Sequence, residues 1–170
     1  IIEGSKIQLV VDPVMIASTG TNLTDGSTLH SMTNTLLPVA ALATPNIPEA
    51  EAILQRSIKS KDEFVEAARD IAQCYNISCL LKGGHLPGDN ECLDVLWHND
   101  QAHHYRHPYL PLPSGVHGTG CTLSAAITAG LANEQCMIDA VTHAISYVQK
   151  LIHSAHTWEH NHHSIRCLGW

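Results

Sequence analysis

Four short stretches place reactive or ligand-holding residue types beside turn-forming ones. "VVDPVM" sets Asp12 after an apolar run, and "TPNIPEAE" carries Asn46 and Glu49. "LLKGGH" puts Lys82 ahead of Gly83 and Gly84, and "SGVHGTGCTLSAAITAG" crowds Gly118, Thr119, Gly120 and Cys121 where a helix begins. A helix N-terminus offers N–H groups and partial positive charge, so anions bind there. Glycines remove the Cβ atoms that would hold a phosphate away. A thiol at such a mouth is expected to ionise more readily and to act as a base or an anion-holding group. Mg²⁺ is commonly held by one or two carboxylates plus waters and phosphate oxygens, which suits Asp12 and Glu49. Lys82 could reach a phosphate while its glycines let a nucleotide lie against the backbone. Together these residues would hold a nucleotide and its metal.

Each stretch also has a plainer reading. Gly118 to Cys121 could be a tight turn with a buried cysteine. Asn46 and Glu49 have the spacing of an N-cap and its reciprocal carboxylate. Lys82 could leave its strand into solvent, and Asp12-Pro13 could simply end one.

The elements that would position these residues alternate. "IQLVV" (7–11) and "VAALA" (39–43) read as short buried parallel strands, the second ended by Thr44-Pro45. "STLHSMTNTLL" between them has near-helical apolar spacing and is expected to end at Pro38. A helix should start near Pro48. "SKDEFVEAARDIAQCY" is an amphipathic helix with a Ser60/Glu63 capping pair and a Phe64, Ala67, Ala68, Ile71 stripe. "ISCLL" is a third strand, closed by Lys82-Gly83-Gly84-His85. "PGDNE" reads as a polar turn, and the strand-like runs flanking Asn99-Asp100 predict a hairpin. The helix after Gly118 should run through Ala129, with Gly130 at its C-cap, and a last helix should span 136 to 153. This order predicts an α/β sheet with covering helices and no domain-splitting linker. In open α/β sheets ligands bind outside the carboxyl ends of the strands, where Asp12, Asn46 and Lys82 fall.

Composition narrows the partners. The chain has 170 residues, 44% of them hydrophobic, enough for one domain with a real core. A formal net charge of −7 argues against nucleic acid or an anionic membrane as the main partner. The six cysteines form no C-x-x-C pair, which points to a reducing cytosol. No apolar run is long enough to cross a membrane, and the first residues do not read as a signal peptide. Thirteen histidines are many, but "AHHYRHP" and "HTWEHNHHSIRCLGW" lack helical metal-site spacing. Residues 156–170 read as a polar, His-rich tail, with specific metal binding as the other reading.

The four stretches in this order resemble the hydroxymethylpyrimidine/phosphomethylpyrimidine kinases of thiamine biosynthesis, within the ribokinase-like superfamily. The resemblance runs from about Ile7 to Lys150. The cysteine after "GTG" is specific to this branch, since most ribokinase relatives carry aspartate there. It implies a ribokinase-like three-layer α/β/α sandwich, with residues 1–155 as its C-terminal, nucleotide-binding portion. It implies transfer of the ATP γ-phosphoryl group to 4-amino-5-hydroxymethyl-2-methylpyrimidine and then to its monophosphate. Cys121 takes the catalytic position and the N–H groups of Gly118, Thr119, Gly120 and Cys121 the anion hole. Asn46, Lys82 and Gly84 line the ATP side, and Glu49 and Asp12 attend Mg²⁺.

The sequence departs from that family in having no Gly-rich pyrimidine-binding segment ahead of Ile7. The N-terminal part of the fold is therefore expected to be missing, with a homo-oligomer or a complementing N-terminal segment as partner. A pyridoxal-type vitamin kinase and a catalytically silent nucleotide-binding fragment remain as alternatives.

Overall fold

A computed structural model of the chain describes residues 7–15, 26–85, 91–108, 118–160 and 163–169. They fall into two compact units, Ile1–Tyr109 and Leu110–Trp170. The sequence had suggested no internal division.

The first unit is built on a mixed sheet. Its strands are β1 (Val10–Val11), β2 (Leu42–Ala43), β3 (Ser78–His85), β4 (Glu91–His98) and β5 (Gln101–Pro108), in the order β1-β2-β3-β4-β5. β1, β2 and β3 run parallel, while β4 and β5 extend the sheet as an antiparallel hairpin. Parallel neighbours need long crossovers. The first contains α1 (Gly26–Ser31), and the second is α2 (Ile47–Leu54) followed by α3 (Lys61–Tyr75).

The amphipathic stripe of α3 behaves as its spacing predicts. Phe64, Ala67, Ala68 and Ile71 are fully buried and join Ala43, Cys79, Leu81, Leu93 and Val95 in one core. Burying a phenylalanine side chain is worth about 2 kcal/mol, so this single aromatic anchors the helix on the sheet. The N-cap of α3 differs in detail. Ser60 Oγ accepts from Glu63 N–H at 3.2 Å, but the Glu63 carboxylate accepts from Lys59 N–H at 2.6 Å. The return half of the capping box thus reaches one residue further upstream.

Several boundaries differ from the sequence reading. The helix expected over "STLHSMTNTLL" lasts only through Ser31, then opens into a π turn (Met32–Leu36) and a 3-10 turn (Leu37–Val39). Thr33 Oγ1 bonds back to Leu29 and His30 carbonyls there, a competition that favours distortion of the helix. Pro38 lies inside the 3-10 turn, near its start, where its missing N–H leaves no bond unmade. Val39 belongs to that turn, so β2 shortens to two residues. In contrast β3 does not stop at Leu81 but continues through Lys82-Gly83-Gly84-His85. Pairing with β4 carries it onward, with an irregularity in register between Lys82 and His85. The Asn99-Asp100 hairpin forms as expected, both residues at positive φ (50° and 57°). That is the requirement of a type I′ turn. Within "PGDNE" only Glu91 lies among the described residues, where it opens β4.

The second unit contains α4 (Thr119–Ala132), α5 (Met137–His153), β6 (His156–His160) and β7 (His163–Cys167). α5 buries Ala140, Val141, Ala144, Ile145, Val148 and Leu151, and it packs against α4. α4 runs past Gly130 and is capped by Asn133, whose side-chain amide donates to the Ala129 carbonyl at 2.8 Å. Gly130 serves packing instead. A Cβ there would come within 3.0 Å of Ala140 Cβ and 2.8 Å of Gln135 Oε1. Where the sequence suggested a solvated tail after residue 155, β6 and β7 pair antiparallel, with Trp158 opposite Ile165. Each strand carries one bulky apolar residue at its centre, Trp158 in "HTWEH" and Ile165 in "HSIRC".

Candidate functional site

The parallel strands of the first unit bring their carboxyl ends to one rim. Asp12 follows β1 directly, Thr44 and Asn46 follow β2, and Lys82 lies where β3 outruns β2. Backbone bonds lock these turns: Thr44 N–H donates to the Val11 carbonyl at 2.9 Å, and Lys82 N–H to the Pro45 carbonyl at 2.8 Å. Asn46 and Lys82 also form an isolated parallel bridge. The side chains then converge. Lys82 Nζ donates to Asp12 Oδ1 at 3.0 Å, and Thr44 Oγ1 donates to the same oxygen at 3.1 Å. Asp12 Oδ2 has no partner among the described residues. Lys82 and Asp12 are each only 15% exposed, so this lysine does not simply leave its strand into solvent.

Glu49 forms the cap that its spacing from Asn46 predicts. Asn46 Oδ1 accepts from Glu49 N–H at 2.9 Å, and Glu49 Oε2 accepts from Asn46 N–H at 2.8 Å, a complete capping box on α2. The carboxyl group is nevertheless buried. Burial raises its pKa above the ordinary value. The Asn46 N–H, the Lys82 charge and a backbone hydrogen bond from Met15 oppose the rise, and the Asp12 charge adds to it. Asp12, Asn46, Glu49 and Lys82 thus form one electrostatically connected group.

Sequence reasoning missed Asp94 and His107. Gly83 N–H donates to Asp94 Oδ1 at 3.0 Å, and His107 Nε2 lies 3.1 Å from Asp94 Oδ2. Asp94 is buried in the middle of β4. An acid inside the apolar run "CLDVLW" was the available signal, because a buried carboxylate must be paired. Gly83 is fixed for a steric reason as well. A Cβ there would sit 1.9 Å from the Leu93 carbonyl oxygen and 2.9 Å from Phe64 Cζ. Gly84 follows it in β3.

The second unit carries the helix mouth. Gly118 is the N-cap of α4 and has φ of 84°, a left-handed conformation that favours glycine. A Cβ at Gly118 would meet nothing within 4 Å, so conformation and not space selects this glycine. The first backbone bond of the helix runs from Thr122 N–H to the Gly118 carbonyl at 2.9 Å. The N–H groups of Thr119, Gly120 and Cys121 therefore lie ahead of the helical ladder, where an N-terminus engages anions. Cys121 is exposed and in no disulfide, contrary to the alternative of a buried cysteine.

Among the described residues no three His, Cys, Asp or Glu side chains cluster as a metal site. A cation at the rim would draw on Asp12 and Glu49 together with oxygens of its ligand. That donor set, hard and oxygen-only, fits Mg²⁺. No described helix is long and apolar enough to cross a membrane.

A mixed α/β sheet with ionisable groups gathered at the carboxyl ends of its parallel strands is common to many ligand-binding α/β proteins, and likeness to solved kinase structures narrows it to the ribokinase-like class. A phosphomethylpyrimidine kinase from Clostridium difficile 630 superposes with a TM-score of 0.71 at 34% identity, covering 85% of this chain and 57% of that one. The pyridoxal kinase from Staphylococcus aureus in complex with AMP-PCP and pyridoxal gives 0.81 at 26% identity, covering 95% and 56%. Residues 1–166 match the phosphomethylpyrimidine kinase family, and the chain belongs to it. The hydroxymethylpyrimidine/phosphomethylpyrimidine kinase of Bacillus subtilis is 34% identical over 145 residues, 85% of this chain and 53% of the relative. The chain spans about half the length of the relatives it matches.

Proposed function

We propose that the chain takes part in ATP-dependent phosphorylation of 4-amino-5-hydroxymethyl-2-methylpyrimidine and of its monophosphate, in the cytoplasm. The observation that carries this reading is the Lys82–Asp12 pair at the strand rim, with buried Glu49 electrostatically coupled to it. Family membership supplies the reaction class.

Phosphoryl transfer needs in-line positioning and stabilisation of charge on the migrating group, with little covalent work by the protein. Lys82 supplies a positive charge whose direction is set by Asp12 and Thr44. Gly84 and Asn46 complete the ATP side. Thr119, Gly120 and Cys121 N–H groups, opened by Gly118, form the anion hole for the transferred group. The acceptor hydroxyl loses its proton as its oxygen bonds to the γ-phosphorus, and the bond from that phosphorus to the bridging oxygen of ADP breaks. In this reading Cys121 takes the proton as thiolate. When bound, Mg²⁺ neutralises charge on the phosphate oxygens. Asp12 would hold it, with Glu49 acting through a water.

The test is incubation with ATP, Mg²⁺ and the hydroxymethylpyrimidine, followed by chromatographic detection of the mono- and pyrophosphate. A parallel reaction with pyridoxal addresses the second reading, which the likeness to pyridoxal kinase favours. Product from pyridoxal alone would replace the first reading by the second. ATP binding without either product would mark a silent nucleotide-binding chain.

A further inference from the structure

Lys82 stands directly opposite Asp94 in the β3–β4 register. Residues opposite one another in an antiparallel pair share a face, so Asp94 is the natural cross-strand partner of this lysine. The ammonium nevertheless goes to Asp12, a residue 70 positions away, at 3.0 Å. Both oxygens of Asp94 are already engaged, Oδ1 by Gly83 N–H and Oδ2 by His107 Nε2. Asp94 is only 7% exposed, so water contributes little to its solvation. The Gly83 amide bonds this carboxylate within the stretch where the β3–β4 register is irregular.

We infer that His107 and Asp94 form a clamp that positions the nucleotide-binding rim: by occupying Asp94 it leaves Lys82 to Asp12, and through Gly83 it fixes the backbone that the phosphates approach. Both residues act through Lys82 and Gly83 and are positioning residues. The inference rests on the proposed nucleotide reading for its functional consequence, and on the structure alone for the clamp.

Removing His107 frees one oxygen of a buried carboxylate facing Lys82. The lysine is then drawn off Asp12, and the rim loses its orienting charge. The test measures MgATP affinity of the full chain by calorimetry and exchange of the Gly83 amide by nuclear magnetic resonance. His107→Ala is expected to weaken MgATP about tenfold, the scale of one charge-assisted hydrogen bond. His107→Gln, which keeps a donor, is expected to stay within about threefold by the same reasoning. The decisive variant combines His107→Ala with Asp94→Asn. A neutral carboxamide no longer attracts Lys82 yet still accepts from Gly83, so the double variant should bind MgATP better than His107→Ala alone. A merely structural role would make the double variant equal or worse, and that result overturns the inference. So does a folded His107→Ala chain with unchanged affinity. If the wild-type chain binds no MgATP, the nucleotide reading fails. The clamp is then judged by Gly83 exchange, which should accelerate in Asp94→Ala but not in Asp94→Asn; equal exchange in both removes it.

Discussion

Lys82 and Asp12 are joined by a 3.0 Å ion pair that ties the end of β1 to β3 across the intervening β2. With both side chains largely buried, neither charge can be lost without consequence. Breaking a buried pair leaves the survivor desolvated, so Asp12→Asn and Lys82→Met should each destabilise the chain by about 2–3 kcal/mol. The double variant should recover part of that loss. Urea denaturation of all four proteins checks this; additive losses would mean that the pair is not coupled. All three variants should also lose MgATP affinity, because the proposed phosphate charge or its anchor is gone.

Glu49 links stability to pH in a definite direction. Its folded pKa lies above the ordinary 4.5, chiefly because of burial. The folded state therefore holds the proton more tightly than the unfolded state. This contribution to stability is present in full below about 4.5 and is lost as pH rises through the folded value. Glu49→Gln keeps the capping acceptor but cannot ionise. It should remove this pH dependence and be at least as stable as wild type at pH near 7. The same variant should raise the Mg²⁺ requirement roughly tenfold, the usual size of an outer-sphere effect, with little change in pyrimidine affinity. Melting temperature across pH and a magnesium titration test the two halves separately.

The glycines should separate by mechanism. Gly83→Ala drives a methyl group into the Leu93 carbonyl and the Phe64 ring and should cost about 3 kcal/mol. Gly118→Ala meets open space and should cost only about 1 kcal/mol, from its positive φ. Denaturant midpoints at equal slope decide between them. A larger loss at Gly118 would mean that its environment is tighter than found.

Cys121→Ala retains the backbone N–H but removes the thiol. If the thiolate takes the acceptor's proton, turnover should fall by roughly a hundredfold or more while MgATP affinity is unchanged. Full turnover would leave Cys121 with an anion-hole role only.

Much of this arrangement was legible in the residues themselves. The stripe of α3, the Asn99-Asp100 turn and the Asn46/Glu49 cap depend on neighbours within a few positions, so local patterns reveal them. The extension of β3 was not legible, because Lys-Gly-Gly reads as punctuation until β4 pairs with it. Gly130 looked like a helix terminus, yet its reason is Ala140 on another helix. Asp94 and His107 meet as diagonal neighbours across β4 and β5, which only the register determines. The Asp12–Lys82 pair was approached only as two residues at one rim; their direct contact required the order of the strands.

The most direct test of where the phosphates go is a MgATP titration of isotope-labelled chain, followed at backbone amides. Saturable shifts at Lys82, Gly83 and Gly84, and at Thr119 and Gly120 of the second unit, are expected. Resonances at both sets that stay fixed at millimolar MgATP would contradict the account.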